Sequence, residues 1–340
     1  MPLFGWKAAP EQYPPNELLD YAIAAEQAGF DVLEASDHFH PWSESGQAAL
    51  VWPLLGAIAA RTQHIRIGSG VTCPILRYNP AVIAQAVATL GAMAPGRVFL
   101  GVGTGEALNE FPITAQWPPY HERQERLAEA IDLIRALWTG AEVTFHGTYY
   151  QTRRAKLYTL PQEVIPIYIS SMVPNSAAFA GRYGDGLFAA GGKEPPELRQ
   201  MIQSFETGAR EAGRDPSTMS RHVELRVAFT KDTTAAVESI RQYWASSFLP
   251  AMYNFGIYTS ATAQENGKLV GDEIIRQQTL ISDDPDVHVK RAEEMLDLGF
   301  DHIYFFCAGP DQRAFLEAYG KEVLPRLRQR AGERQHRRAA

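Results

Sequence analysis

The chain alternates between short apolar runs and longer segments whose apolar residues recur at helical spacing. Leu18, Ala22 and Ala25 share one face of a helix that ends at Gly29. The apolar run that follows is short enough to be a buried strand. The same alternation continues along the chain and predicts eight strands, at residues 4–6, 30–35, 65–71, 98–102, 167–169, 186–190, 223–229 and 302–306.

Nearly every predicted strand is followed by a predicted helix. Helical crossovers of this kind connect parallel strands. Eight β–α units in a chain of 340 residues fit a closed barrel better than an open sheet. We therefore predict an α/β fold, a (β/α)8 TIM barrel that occupies residues 1–327 as a single domain with insertions.

Three segments depart from the alternation. Residues 142–158 alternate around a His-Gly turn and predict an inserted β-hairpin. Residues 246–271 form a long connection without a regular pattern, and their aromatic and apolar residues indicate either a lid or a contact between subunits. Residues 328–340 are rich in arginine and are expected to form a disordered basic tail.

Composition excludes several classes of protein. The formal net charge is −7, which argues against a nucleic-acid binder and against a membrane-surface protein. Cys73 and Cys307 are the only cysteines, so a disulfide framework and a cysteine-rich metal site are both excluded. No apolar run approaches the roughly 18 residues that span a bilayer, and no secretory signal opens the chain. We expect a soluble cytoplasmic protein.

A barrel of this type carries its chemistry at the carboxyl ends of the strands. Asp37, His38 and Trp42 follow the second predicted strand. Histidine titrates near neutral pH and suits a general base, although a capping aspartate and a structural histidine are the ordinary alternatives. His38 and His40 could also bind a metal in a barrel hydrolase. None of the other histidines clearly follows a strand, so no metal is expected.

Glycines follow the third and fourth predicted strands and would let the backbone approach a ligand closely. Glu106 ends the second of these glycine-rich segments and is expected to face whatever is bound there. The helix after the fifth strand opens with serine and asparagine, which could hold a phosphate or act as ordinary caps. Lys193 follows the sixth strand and could pair with an anion, or could be solvated.

Three segments together resemble one enzyme family. They are SDHFHPW at 36–42, RYNPAVIAQA at 77–86 and RVFLGVGTGEALNE at 97–110. They are similar to the F420-dependent glucose-6-phosphate dehydrogenases, which belong to the bacterial luciferase-like monooxygenase superfamily. The resemblance covers residues 4–327. It implies a luciferase-like TIM barrel, the deazaflavin coenzyme F420, a small-molecule substrate and a homodimer.

The resemblance also implies roles for individual residues. His38 matches the base that takes the proton of the substrate hydroxyl, and Glu106 matches the acid that serves N1 of the deazaflavin while hydride passes to C5. Trp42 matches an aromatic residue at the reacting centre. The Gly70–Val71 bond matches a cis peptide bond behind the ring. The positions that match cofactor contacts are Asp37, Gly70, Val71, Thr104, Asn109, Met172 and Val173.

The substrate site departs from the family pattern. The family holds the phosphate of its sugar with three cations, of which Lys193 matches the first. No lysine matches the second, and Gln278, with Arg276 two residues before it, stands at the third. We therefore predict an F420-dependent dehydrogenase that acts on a sugar phosphate or on another alcohol. An FMN-dependent monooxygenase or an F420H2-dependent reductase of the superfamily is the first alternative, and a metal-dependent barrel hydrolase is the second.

Overall fold

Parallel strands form the centre of the molecule, and the computed structural model describes residues 1–254 and 256–339. In that part of the chain there are nine strands, β1 (Leu3–Ala8), β2 (Val32–Ala35), β3 (Arg66–Ser69), β4 (Val98–Val102), β5 (Ile167–Ser171), β6 (Gly186–Ala189), β7 (Ser220–Phe229), β8 (Leu280–Ser282) and β9 (His302–Cys307).

Eight of these strands close into a ring. Strands β1 to β7 pair in chain order, β7 pairs with β9, and β9 returns to β1. The predicted TIM barrel is therefore confirmed. The remaining strand, β8, was not predicted. Among the described residues it pairs only with the last three residues of β7. Its three residues are too few to give a periodic signal in the sequence.

Helices surround the ring and follow most of the strands. Proline at the first turn and glycine after the last residue set several of their ends, as at α1, where Gly29 adopts a φ of 91°. The helices of the described residues are α1 (Pro15–Ala28), α2 (Val51–Arg61), α3 (Pro80–Met93), α4 (Ala107–Thr114), α5 (Tyr120–Trp138), α6 (Pro174–Tyr183), α7 (Pro195–Glu211), α8 (Thr233–Tyr243), α9 (Ala251–Asn254), α10 (Ser260–Gly267), α11 (Asp272–Gln278), α12 (Pro285–Leu298), α13 (Gln312–Ala318) and α14 (Leu324–Ala339).

None of the helices in this part of the chain is both long enough and apolar enough to cross a membrane.

The segment that precedes β5 contains the predicted hairpin. Val143 pairs with Ala155 and His146 with Gln151, both in the antiparallel sense. The Glu129 carboxylate on α5 accepts hydrogen bonds from three successive backbone N–H groups at the turn, those of residues 148–150. The insertion is thus attached to the outer helical layer.

The connection after β7 differs from the sequence expectation. Residues 246–271 are not irregular throughout, since they contain the end of a 3-10 helix (Ala245–Phe248) and the helices α9 and α10. Ser246 Oγ and Ser260 Oγ donate hydrogen bonds to the carbonyl oxygens of Trp42 and Pro41, at 3.3 and 2.8 Å. The connection therefore packs against the loop that follows β2. Phe255, part of the predicted aromatic surface, lies outside the described residues.

The basic tail also differs from the expectation of disorder. Helix α14 continues to Ala339, and Arg326, Arg328 and Arg330 pair with acidic residues. Arg328 Nη2 lies 2.8 Å from Asp31 Oδ1, and Arg330 Nη1 lies 2.6 Å from Glu293 Oε2. Because these ion pairs join residues about 300 and 37 positions apart in the chain, sequence composition alone did not indicate them.

Aromatic and imidazole rings fill the amino-terminal half of the barrel interior. His222 stacks on His302 with ring centroids 4.2 Å apart, and Tyr168, Phe188 and Tyr304 surround His222. Burial lowers the pKa of His302 to about 4 and places the pKa of His222 well below its usual value. Both rings are therefore neutral at pH 7.

These rings predict a loss of stability in acid. The unfolded chain binds a proton at His302 below about pH 6.5, while the folded chain does not until about pH 4, so stability falls as the pH decreases through that interval. At pH 5 the contribution of His302 to this loss is up to roughly 2 kcal/mol. We expect His302→Phe to reduce the loss measured by urea unfolding between about pH 7.5 and 5. An unchanged pH dependence would contradict the prediction.

Candidate active site

A cavity of about 1130 Å³ opens at the carboxyl ends of the strands. Pockets for small ligands usually measure roughly 300–1,000 Å³, so this cavity has room for a large cofactor together with a small substrate. Its walls come from the loops that follow the strands and from the connection after β7. The location agrees with the rule that barrel chemistry occurs at this face.

His38 lies between two carboxyl groups at the bottom of the cavity. Its Nδ1 is 3.4 Å from Glu11 Oε1 and its Nε2 is 3.8 Å from Glu106 Oε2. His38 Nδ1 has no hydrogen-bond partner among the described residues. Burial, followed by the positive charges of Arg77 and Lys7, lowers the pKa of His38 to about 3. The imidazole is therefore neutral at pH 7 and available to accept a proton.

The pKa values of the two carboxyl groups beside His38 are shifted in the opposite direction. Burial, followed by the charges of Glu11 and Glu110, raises the pKa of Glu106 to about 8. Burial also raises the pKa of Glu11 to about 7. At neutral pH, Glu106 is thus largely protonated and Glu11 is protonated about half of the time. A neutral base and a protonated acid stand next to each other, which is the arrangement that proton transfer requires.

The side chain of Asn109 connects the loop that carries His38 to the carboxyl group of Glu106. Its Oδ1 accepts hydrogen bonds from the backbone N–H groups of Phe39 and His40, at 2.8 and 3.1 Å. Its Nδ2 donates to Glu106 Oε2 at 3.2 Å. The residue occupies the first turn of α4, and Glu106 is the N-cap of that helix. One amide side chain therefore fixes the position of His38 relative to Glu106.

Arg77 holds the same two segments together from below the cavity. Its guanidinium lies 3.1 Å from Asp37 Oδ2 and 3.2 Å from Glu110 Oε1, and it also donates to the backbone carbonyl of Asp37. All three side chains are almost fully buried. Asp37 accepts further hydrogen bonds from Thr72 and from Tyr78. The Asp37 side chain, predicted to contact a cofactor, is thus already engaged with the protein.

Aromatic rings cover the base. The ring of Trp42 contacts His38 edge-on at 5.4 Å and Tyr253 at 5.9 Å. Tyr253 belongs to α9 in the connection after β7, and its hydroxyl donates to the carbonyl oxygen of Ser247. The connection therefore supplies a wall of the cavity directly over Trp42.

Small residues shape the opposite wall. The Gly70–Val71 peptide bond is cis. A Cβ atom at Gly70 would overlap the carboxyl group of Glu34, and one at Gly103 would lie 3.0 Å from the side chain of Val71. Thr104 follows Gly103 and also lines the cavity. These positions leave a wall of backbone and small groups in the cavity that His38 and Glu106 also line.

The far end of the cavity is lined by Met172 and Val173, which precede α6. Both backbone N–H groups donate to Ser176 Oγ, each at 3.2 Å. Nearby, the Arg123 guanidinium stacks on Trp117 at 3.7 Å and has an Nε without a hydrogen-bond partner among the described residues. This end of the cavity thus combines a buried cation with a helix N-terminus.

The predicted substrate residues do not all reach the cavity. Lys193 and Gln278 line it, and Gln278 lies beside Gly192. Arg276 is exposed on α11 and is absent from the lining among the described residues. Gln278 points to the cavity and Arg276 away from it because they are two positions apart on a helix.

Sequence reasoning missed a set of charged residues inside the barrel. Each one occupies an inward position on a strand or on the loop that follows it, and all line the cavity or its floor. The signal was present, because a charge within an apolar strand is uncommon. The residues are Lys7, Glu11, Glu34, Glu224 and Arg226.

Lys7 is the centre of this set. Its Nζ lies 2.6 Å from Glu224 Oε2 and 3.4 Å from Glu34 Oε1, and it donates to the carbonyl oxygen of Gly70 at 3.1 Å. Burial alone would lower the pKa of Lys7, but the carboxyl groups of Glu224 and Glu34 raise it by more. The pKa of Lys7 therefore lies above its usual value. The ammonium group therefore stays charged beneath the cavity.

The described residues include no group of three or more histidine, cysteine or acidic side chains placed to bind a metal. His40 packs against Phe39 with ring centroids 5.1 Å apart and does not belong to the cavity lining in the described part of the chain. His40 therefore does not line the cavity that His38 faces in that part of the chain.

Comparison with known proteins identifies close relatives. Residues 3–302 match the family model described as Luciferase-like monooxygenase. The chain is 42% identical over 332 residues to a protein of Nakamurella multipartita named F420-dependent glucose-6-phosphate dehydrogenase, with 97% of this chain and 98% of the relative covered. A protein of the same name from Microbacterium testaceum is 43% identical, with 96% and 98% covered.

Solved structures agree with this result. A structure described as an F420-dependent secondary alcohol dehydrogenase in complex with an F420-acetone adduct matches with a TM-score of 0.92 and 37% identity, covering 96% of this chain and 99% of that one. The F420-dependent tetrahydromethanopterin reductase of Methanopyrus kandleri matches with a TM-score of 0.76 and 22% identity, covering 96% and 99%. The second match shows a shared fold. The predicted resemblance to the F420-dependent glucose-6-phosphate dehydrogenases is confirmed.

The contacts of Arg77 predict a large effect on stability. Arg77→Met leaves two buried carboxyl groups without their cation, so we expect the free energy of unfolding to fall by about 3–5 kcal/mol in urea denaturation. Arg154→Met is a matched control, because Arg154 pairs with Glu142 at the surface, where such a pair contributes less than about 1 kcal/mol. Equal stability of the two variants would contradict the prediction.

Proposed function

Because the chain belongs to the luciferase-like monooxygenase family and is similar along almost its whole length to F420-dependent glucose-6-phosphate dehydrogenases, we propose that it is an F420-dependent oxidoreductase. It oxidises a CH–OH group of a sugar phosphate or of another alcohol. The observation that carries the proposal is the pair formed by His38 and Glu106, a neutral imidazole 3.8 Å from a largely protonated carboxyl group.

The cavity fits a deazaflavin cofactor. The wall of Gly70, Val71 and Gly103 would receive the ring of the cofactor, and Thr104 borders it. At the far end, Arg123 and the backbone before α6 would hold an anionic group of the cofactor, since Arg123 is buried and forms no ion pair with a carboxylate among the described residues. The N–H groups of Met172 and Val173 would have to leave Ser176 Oγ to take part.

When bound, F420 supplies the hydride acceptor at its C5 atom. His38 would accept the hydroxyl proton of the substrate on a ring nitrogen. Glu106 would supply one proton to the cofactor, which matches the hydride that the cofactor would accept. The substrate therefore loses one hydride and one proton, and the two residues handle one proton each. Position and proton transfer are the contribution of the protein, as in other cofactor enzymes.

Glu11 and Trp42 support the base. Glu11 Oε1 lies 3.4 Å from Nδ1 of His38, so its carboxylate form stabilises the imidazolium that forms during the reaction. The ring of Trp42 lies against His38 and excludes water from one side of it. Both contacts act on the base while leaving its other nitrogen directed toward Glu106.

We further propose that the enzyme works in the cytoplasm as a homodimer. Both cysteines are free and buried, which suits a reducing compartment. Tyr158 and Val164, near the hairpin insertion, are 90% and 94% exposed. Large apolar side chains at such positions suit a contact between subunits.

The proposed activity predicts a change in visible absorbance. Oxidised F420 mixed with the purified chain should lose its visible absorption band when glucose 6-phosphate, glucose or 2-propanol is the substrate. Which of these compounds reacts defines the substrate class. Binding of F420 without loss of absorbance for any alcohol would contradict the proposed direction and would favour a reductase.

The His38→Ala variant tests the assignment of the base. General bases contribute roughly 10²–10⁴-fold to rates, so we expect a loss of turnover in that range. Binding of F420, followed by its fluorescence, should remain nearly unchanged, since the cavity walls are intact. Turnover equal to that of the unmodified chain would exclude His38 as the base.

Glu106 predicts the alkaline limb of the pH profile. The carboxyl group donates a proton only while it is protonated, so alcohol oxidation should slow as the pH rises above about 8. Glu106→Gln should be slower by roughly 10²–10⁴-fold, and its remaining rate should lack that limb. An alkaline limb that persists in Glu106→Gln would assign it to another group.

A further inference from the structure

Arg226 is a cation inside the barrel that forms no ion pair with a carboxylate among the described residues. It lies on β7 two residues after Glu224, so both side chains point to the same face of the strand. The carboxylate of Glu224 is taken by Lys7, at 2.6 Å. In the part of the chain that the structure describes, no carboxylate oxygen lies within ion-pair distance of the Arg226 guanidinium. The carboxyl group of Glu224 acts on the Arg226 charge without forming an ion pair with it.

Neutral groups hold the Arg226 side chain in place. Its Nη2 donates to Ser247 Oγ at 3.2 Å, and its guanidinium lies 4.3 Å from the ring of Phe248 and 5.3 Å from that of Phe306. Its Nε is buried and has no hydrogen-bond partner among the described residues. Burial lowers the pKa of Arg226 from its usual value. Two aromatic rings and one hydroxyl offset only part of the cost of burying a cation.

The loop that carries Lys193 packs on the same strand. A Cβ atom at Gly191 would overlap the carbonyl oxygen of Glu224, so this loop lies directly on the part of β7 that holds Arg226. Lys193 and Arg226 both line the cavity, and Gln278 lines it beside Gly192. Two cations from neighbouring strands therefore face one cavity, with an amide as a further hydrogen-bond donor.

We propose that Arg226 is a specificity-determining residue that binds an acidic group of the substrate, with Lys193 as the second cation. The ligand is a phosphate or carboxylate group on a compound that also carries the hydroxyl to be oxidised. The proposal rests on the proposed function and identifies its substrate as an anion. It also assigns a cation that sequence comparison did not, since Gln278 is neutral and Arg276 faces away from the cavity.

A structural role is the competing explanation. Arg226 could serve only to fasten the segment of Ser247 and Phe248 to the barrel through its hydrogen bond and ring contact. In that case, removal of the charge would disturb the wall of the cavity for every substrate. A role in anion binding affects acidic ligands selectively.

The first test measures anion binding without F420, so that it is independent of the proposed reaction. Inorganic phosphate and acetate are titrated separately against the full-length chain, and binding is followed by the fluorescence of Trp42 and Trp244, which line the cavity. We expect Arg226→Met to weaken binding by on the order of 10- to 100-fold and Arg226→Lys to restore most of it. Binding of phosphate alone assigns a phosphate ester, and binding of both assigns carboxylates as well.

Lys231→Met is the matched control. Lys231 follows the same strand, carries the same charge and is 88% exposed, so its removal should leave anion binding unchanged. Phosphate and acetate binding that is equally tight in Arg226→Met and the unmodified chain would overturn the proposal. The proposal would also be overturned if neither phosphate nor acetate bound to the unmodified chain.

The second test uses the F420 assay. For glucose 6-phosphate, Arg226→Met should raise KM by on the order of 10- to 100-fold with kcat nearly unchanged, since it removes binding present in both ground and transition state. For 2-propanol, both constants should stay the same. Equal losses for the two substrates would assign a structural role to Arg226. Absence of F420 reduction with every substrate would contradict the proposed function and leave the anion titration as the test of Arg226.

Discussion

The contact of one guanidinium with two buried carboxyl groups fixes the geometry of the site. Arg77 joins Asp37, in the loop after β2, to Glu110, one turn into α4. His38 follows Asp37 directly, and Glu106 begins the helix that carries Glu110. His38 is thus adjacent in sequence to one residue that Arg77 binds, and Glu106 lies one helical turn before the other. Asn109 repeats the connection above it, between the backbone at Phe39 and Glu106. These two sets of contacts hold the loop after β2 in a fixed position relative to the start of α4.

The interior of the barrel is arranged in layers of different polarity. Aromatic and neutral imidazole rings fill the amino-terminal end, where His222 and His302 stack. A layer that carries the charge of Lys7 follows, with Glu34 and Glu224 beside the ammonium group, and the cavity lies beyond it. The rings exclude water from one side of the charged layer, so its electrostatic interactions are stronger than those at a surface. This layer supplies the positive charge that helps to keep His38 neutral.

The parts of the structure that the sequence could predict are those with a local signal. Strand ends rich in glycine, the Asp37–His38 pair and the acid at Glu106 all stand in short segments that can be read in order. Three features lacked such a signal. Strand β8 is only three residues long, the pairing of Arg328 with Asp31 joins opposite ends of the chain, and the orientation of Arg276 depends on how α11 packs. Arg226 is an intermediate case. The sequence shows a charge within the apolar strand β7, but it does not show that this charge forms no ion pair among the described residues.

Burial explains how one cavity keeps an acid and a base side by side at neutral pH. Desolvation disfavours the charged form of every group, so it lowers the pKa of His38 and raises the pKa of Glu106. The same physical cause thus leaves the imidazole without a proton and the carboxyl group with one. In water at pH 7 the carboxyl group would be ionised and the imidazole would be partly protonated, since their ordinary pKa values are about 4.3 and about 6.5. Burial cannot neutralise Arg226 in this way, because a guanidinium does not give up its proton at neutral pH. Its charge therefore persists in the cavity, and an anionic group on the substrate is the partner that can compensate it.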